Sequence, residues 1–166
     1  MYYDNSDIRQ KIMIRNNLFS YHLNKDICIE YFAGEGVLTK MFWANVCKNV
    51  ICVEKEQSKI NKINLQNVTK YIGNNIDFIE LSENIEIIDC DAYGLVTDFI
   101  RKILEVSKTK QKIIFFTDGF FKVQKKLKHL KYNFEDIVKS LYPDKYFYEK
   151  ALGGNVYYGY LYYNNL

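Results

Sequence analysis

The chain has 166 residues, 48% hydrophobic and 26% charged, with one Pro and eight Gly. That length and polarity suit one packed domain and exclude a disordered, collagen-like or linker-type chain. A formal charge of +3 is too small to mark a nucleic-acid binder by itself, so the distribution of charge matters more than the total.

The basic residues concentrate at 122–131, KVQKKLKHLK, with five Lys and one His in ten positions. The aromatic load is high, with 15 Tyr and 11 Phe, enough to pack densely and also to present stacking faces. Cys28, Cys47, Cys52 and Cys90 form no Cys-x-x-Cys pair, so we expect reduced thiols and no zinc. The two histidines, His22 and His129, have no metal-ligand spacing. The first twenty residues hold no long apolar run, so the expectation is a cytoplasmic protein with neither signal peptide nor membrane span.

Residues 1–26, with Arg9, Lys11, Arg15 and Lys25, read as a helical extension to a single domain over 27–166. The run ICIEYFA (27–33) is apolar, β-branched and aromatic, and ends in GEG, the pattern of a buried strand entering a turn. Val37, Leu38, Met41 and Phe42 then share one helix face. A second strand is expected at 49–55, followed by a helical stretch through Ile60 and Ile63. A third strand at 68–72 precedes a short helix near Ile76–Leu81, and a fourth is expected at 85–89. Leu95, Val96, Phe99, Ile100, Ile103 and Leu104 make a strongly amphipathic helix. KIIFFTD (112–118) gives a fifth strand, followed by helical patterns at Val123–Leu130 and Phe134–Leu141, the latter ended by Pro143. Two Tyr-rich runs flanking GGN then read as a β-hairpin. In the last of them Tyr157, Tyr158, Tyr160, Tyr162 and Tyr163 alternate as in a half-buried strand.

Five βα units closed by an antiparallel pair give a seven-stranded, mostly parallel sheet in a doubly wound three-layer α/β fold. Ligands in such folds bind beyond the carboxyl ends of the strands. That rule gathers residues 30–36, Glu54, Asn74, 89–94 and 117–120 around one crevice. Gly34 and Gly36 permit a sharp turn and close ligand approach. Thr39 stands where a dinucleotide fingerprint requires its third Gly, and Glu30 would repel a pyrophosphate and suit an ammonium. Glu54 closes the second strand, where a carboxylate accepts both hydroxyls of a ribose. Asp89 and Asp91 lie at i and i+2 before Tyr93, which is placed to stack on a planar base. Each of these acids also has a plainer reading, as a solvated strand end or a helix cap.

Glu30, the GEG turn and Glu54 together resemble the class I S-adenosylmethionine-dependent methyltransferases, over about residues 27–163. The resemblance implies a Rossmann-like methyltransferase fold and S-adenosylmethionine as cofactor. It assigns Glu30, Ala33, Gly34 and Gly36 to the methionine part, Glu54 with Lys55 to the ribose, and Asn74 or Asn75 to the adenine, with Asp77 competing. Asp89 lies at the cofactor's edge as well as at the acceptor. IIDCDAYG (87–94) is similar to the D-x-D-P-F/Y-G motif of the tRNA N2,N2-dimethylguanosine methyltransferases, and KIIFFTDG (112–119) resembles the strand that follows it there. Ala92 replaces that motif's proline. The Asp/Asn-Pro-Pro-Tyr/Phe loop of the amino-adenine and amino-cytosine enzymes is absent.

The resemblance therefore implies methylation of an exocyclic base amine, with RNA the favoured substrate. Asp89, Asp91 and Tyr93 are its catalytic candidates. Phe120, Phe121, Lys125 and Lys126 are the substrate contacts, with no metal, no membrane and an additional subunit for substrate recognition. The competing readings are a degenerate methyltransferase-like binding module, a methyltransferase for a small molecule or protein, and a nicotinamide-dependent oxidoreductase.

Overall fold

The structure, a computed structural model, describes residues 7–92, 94, 96–119, 133–151 and 156–166. Helix α1 (Ile8–Arg15) and a 3-10 turn (Asn16–Ser20) lead into β1 (Ile27–Tyr31). Helix α2 covers 37–46 and contains a π turn at Thr39–Trp43. Then follow β2 (Asn49–Glu54), α3 (Gln57–Ile60), β3 (Val68–Ile72) and a 3-10 segment (Asn75–Ser82). Next come β4 (Ile87–Asp91), α4 (Thr97–Val106) and β5 (Gln111–Asp118). Helix α5 (Phe134–Lys139), β6 (Lys145–Lys150) and β7 (Tyr157–Asn164) complete the chain.

The sheet has seven strands in the order β3-β2-β1-β4-β5-β7-β6. Strands β1 to β5 pair in parallel, while β7 pairs antiparallel with both β5 and β6. This is the mostly parallel sheet with a C-terminal antiparallel pair expected from the sequence. Side chains alternate along each strand, so the sheet has two buried faces. Cys28, Ile87 and Ile113 pack with Ile14, Leu18, Trp43 and Ile60 on one face. Ile29, Ile88 and Ile114 pack with Ile100, Ile103 and Val138 on the other. The chain reverses its lateral progress at β1, which lies between β2 and β4, and in open α/β sheets ligands bind outside the strand ends at such a switch point.

Three local expectations are corrected. Strand β4 begins at Ile87, two residues later than expected. The stretch before it still belongs to a turn, because Ile85 N–H donates to Ser82 O. Strand β1 ends at Tyr31, because Phe32 takes a left-handed conformation with φ 61°. In α2 the buried face is Leu38, Phe42 and Trp43, with Met41 exposed: the π turn inserts one residue and rotates the helix surface. The expected helix at Val123–Leu130 and the GGN turn lie outside the described residues.

Lys112 is fully buried at the start of β5, where Nζ donates to Ser82 O at 2.8 Å and Ile85 O at 2.7 Å. Burial lowers its pKa to about 8. In the unfolded chain the amine holds its proton to about pH 10.4. The unfolded state therefore binds more protons between these values, and stability rises with pH across that window. Denaturant titrations from about pH 8 to 10 should show a gain of roughly 2–3 kcal/mol in the native protein relative to Lys112→Met, which lacks the titrating group. Parallel pH dependences would show that Lys112 does not titrate there.

Candidate active site

The turn after β1 is built from three successive devices. Ala33 N–H donates to Val53 O at 3.1 Å, Gly36 N–H returns to Ala33 O at 2.9 Å, and Phe32 N–H donates to the Asn75 carboxamide at 2.9 Å. Gly34 (φ 56°) and Gly36 (φ 70°) are left-handed, as the GEG pattern requires. Among the described residues a Cβ on Gly34 would meet only Phe32 O, at 4.0 Å, which leaves the backbone there open to a ligand. At Gly36 it would lie 2.5 Å from Ile63 Cγ1. Gly36→Ala should therefore destabilise the protein by roughly 2–4 kcal/mol, from the left-handed strain and the clash together. A thermal midpoint within a degree of the native value would contradict this packing.

Glu54, at the end of β2, is buried and ties two turns together: Oε2 accepts from Gly34 N–H at 2.9 Å and Oε1 from Glu56 N–H at 3.0 Å. Each oxygen retains a second lone-pair direction among the described residues. Lys55 and Asn74 are exposed, whereas Asn75 is buried and spends its oxygen on Phe32 N–H.

Behind this turn lies a closed acidic cluster. Glu30 is 1% exposed and its Oε2 accepts from the Thr39 hydroxyl, delivered by the first turns of α2. Burial pushes the Glu30 carboxyl well above the usual range; Asp89 and Asp91 add to this, against the partial offset of Thr39 and Arg15. Asp89 is also 1% exposed. Arg15 of α1 grips it with Nε to Oδ2 at 2.6 Å and Nη2 to Oδ1 at 2.6 Å, and Trp43 Nε1 adds a third donor at 2.7 Å. Trp43 reaches Asp89 from the face that the π turn rotates inward.

Asp91 closes β4 on the same sheet face, as the two-residue strand period dictates. Lys11, one helical turn before Arg15, reaches both its oxygens at 2.6 and 2.8 Å, and the Thr117 hydroxyl donates to Oδ1. Burial alone would raise the Asp91 carboxyl, but Lys11 and Arg15 hold it below the usual carboxylate range. Its side chain remains 17% exposed against 1% for Asp89, so Asp91 lies nearer solvent while Asp89 is sealed. Ala92, in the place of the motif proline, uses its N–H to close a tight turn onto Cys90 O at 2.9 Å. Proline has no N–H with which to make that bond. Beyond it, Asp118 accepts from Val96 N–H at 3.0 Å and joins the β5 end to α4.

The structure thus brings Glu30, Ala33, Gly34, Gly36, Glu54, Asn75, Asp89 and Asp91 to one end of the sheet. Tyr93, Phe120, Phe121, Lys125 and Lys126 lie outside the described residues. Sequence reasoning missed the partners Arg15, Trp43, Thr39 and Thr117. For Lys11 and Arg15 a signal existed, two cations at i and i+4 on one helix, but nothing local linked them to Asp89 and Asp91. All four cysteines are buried and free. Among the described residues, no group of His, Cys, Asp and Glu suits a metal ion and no helix is long and apolar enough to cross a membrane.

No family model matches the chain, and no curated protein matches it in sequence. Solved structures do match the fold. N-methyltransferase NodS from Bradyrhizobium japonicum is 12% identical, with a TM-score of 0.66, over 99% of this chain and 100% of that one. TYW2 from M. jannaschii, solved in complex with AdoMet, is 15% identical with a TM-score of 0.61, over 100% of this chain and 79% of that one. A precorrin 8W decarboxylase from Methanobacterium thermoautotrophicum is 14% identical with a TM-score of 0.58, over 97% and 91%. At these identities the likeness defines the fold, which is the Rossmann-like fold of class I methyltransferases.

Proposed function

We propose that the protein is an S-adenosylmethionine-dependent methyltransferase acting on an exocyclic amine of a nucleic-acid base, with RNA the favoured substrate. The observation that carries this reading is the division of labour at the strand ends. An open glycine turn and a ribose-type acid stand at β1 and β2, and an ionised, crevice-facing Asp91 stands at β4. The neighbours named as an N-methyltransferase and as an AdoMet complex support the cofactor.

The residues present fit that cofactor. Gly34 leaves open backbone beside the turn, and each Glu54 oxygen keeps an acceptor direction for a ribose hydroxyl. Glu30, Ala33 and Gly36 shape the methionine end, Lys55 stands beside Glu54 at the ribose, and Asn74 or Asn75 flanks the adenine end. The cofactor supplies a methyl already activated on a sulfonium, so the protein's task is alignment rather than strong acid-base chemistry. Asp91 accepts an N–H from the acceptor amine, orients its lone pair and takes up the proton released on transfer. Lys11 and Thr117 hold the carboxylate in place for this. Tyr93, Phe120 and Phe121 are assigned to stacking on the base, and Lys125 and Lys126 to its phosphates. A separate subunit is assigned to recognition of the larger RNA.

Incubation with methyl-labelled S-adenosylmethionine and bulk tRNA, ribosomal RNA or a small-molecule extract tests the proposal. Label recovered as an N-methylated base after RNA digestion is expected. Label only in small molecules, or on oxygen, overturns the substrate class. One observation favours a second reading, a binding module without catalysis: Lys11 already contacts both Asp91 oxygens. Under that reading no acceptor is labelled, and Lys11→Met does not restore turnover.

A further inference from the structure

The cluster behind the β1 turn contains three carboxylates and two cations. Arg15 satisfies Asp89 at two points, and Lys11 satisfies Asp91 at two points. Glu30 receives no cation among the described residues. Its one hydrogen-bond partner is the Thr39 hydroxyl. The other groups that act on it are Cys28 on its own strand, Cys52 on β2, Asp89 and Asp91 on β4, and Arg15 on α1.

With all three acids ionised, this cluster would hold one negative charge more than the cations among the described residues balance. An unbalanced charge away from water is strongly disfavoured, and a carboxyl in that position keeps its proton instead. Both Asp89 oxygens already accept from Arg15. Asp91 is held ionised by Lys11 at the wetter edge. The proton falls to Glu30, whose neighbours are a hydroxyl, two thiols, two like charges and an Arg15 guanidinium already bound to Asp89.

We propose that Glu30 is protonated in the free protein and that an ammonium seated at the β1 turn expels this proton, so that cofactor binding releases one proton to solvent. The proposal rests on the methyltransferase reading above, since it takes the amino-acid ammonium of the cofactor as the third cation. Glu30 lies two residues before the left-handed Phe32 and four before Gly34, so a cation over the turn lies within the reach of its field. With the ligand's own carboxylate held outside this cluster, three negative charges then face three positive ones, and the Glu30 O–H gives its proton to the buffer with no other bond changed.

The complex binds one proton fewer than the free protein, so raising the pH favours it. Affinity climbs by up to about tenfold per pH unit for as long as free Glu30 keeps its proton. S-adenosylhomocysteine is the probe, because it carries the ammonium without the sulfonium charge. Titration calorimetry at about pH 7, in two buffers of different ionisation enthalpy, should show close to one proton released. 5′-Methylthioadenosine, which has the nucleoside and thioether but no ammonium, should release none. Glu30→Gln keeps a neutral group that accepts from Thr39; it should fold, bind S-adenosylhomocysteine without proton release, and lose the pH dependence.

Binding with no buffer-dependent heat overturns the proposal and leaves the methyltransferase reading standing. So does equal proton release with methylthioadenosine or with Glu30→Gln. A folded protein that binds neither ligand overturns both.

Discussion

Replacing Asp89 by Ala is expected to destabilise the protein by roughly 3–5 kcal/mol, a fall of about 6–20 °C in thermal midpoint for a chain of this length. The cause is the fate of Arg15. Its side chain is 0% exposed, and Asp89 is the carboxylate that receives both Nε and Nη2. Without that partner a guanidinium remains in the core beside Trp43 and Phe115, losing two charge-assisted hydrogen bonds. Arg15→Met combined with Asp89→Leu removes both charges, and should recover most of the loss. Loss of activity in Asp89→Ala would then report on folding. A cost under about 1 kcal/mol would show that the pair is solvated and that Asp89 is open to ligands.

Asp91→Asn is expected to behave in the opposite way, with little effect on the fold and a large one on turnover. Lys11 and Asp91 are 11% and 17% exposed in their side chains, so the lost ion pair is partly screened and costs about 1 kcal/mol. If Asp91 orients the acceptor amine and takes its proton, methyl transfer should fall by roughly 10²–10⁴-fold, with S-adenosylhomocysteine affinity almost unchanged. Because the Asp91 carboxyl lies below the usual range, the native protein should show no activity limb from this group above about pH 4. Unchanged turnover in Asp91→Asn would place acceptor recognition elsewhere.

The central strands were legible because parallel strands buried on both faces read as short apolar runs. Strand β3, at the sheet edge with no buried residue, was marked instead by its β-branched and aromatic residues. Residues 27–31, 49–54, 68–72 and 111–118 were each located to within two residues. Strand β4 was misplaced because Ile85 is as apolar as Ile87 and Ile88. What ends the preceding turn is a buried Lys112 from β5, which acts at a distance no local pattern carries. The face of α2 was misread for a related reason: a period of 3.6 residues assumes an unbroken α-helix, and the π turn at Thr39–Trp43 breaks it.

Glu30, the glycine turn, Glu54 and Asp91 could be placed at one end of the sheet because they lie at or near the ends of apolar runs. The distinction between Asp89 and Asp91 did not. Both are Asp, two residues apart on one strand face, and only the docking of α1 leaves the Asp89 side chain 1% and the Asp91 side chain 17% exposed. Arg15 and Lys11 sit 74 and 80 residues from these partners. Phe32, in the left-handed region without being Gly, was likewise invisible to a rule that reserves that conformation for glycine.

The central claim is that the crevice at the β1 switch point holds S-adenosylmethionine. A thermal-shift titration with S-adenosylmethionine, S-adenosylhomocysteine, NAD and NADP tests it before any acceptor is known. At about 100 times its dissociation constant, a bound ligand adds roughly 2.7 kcal/mol, which raises the midpoint by roughly 5–10 °C for a chain of this size. Shifts with the two sulfur compounds and none with the two dinucleotides are the predicted result. Shifts with NAD or NADP alone, or with none of the four, would contradict the account.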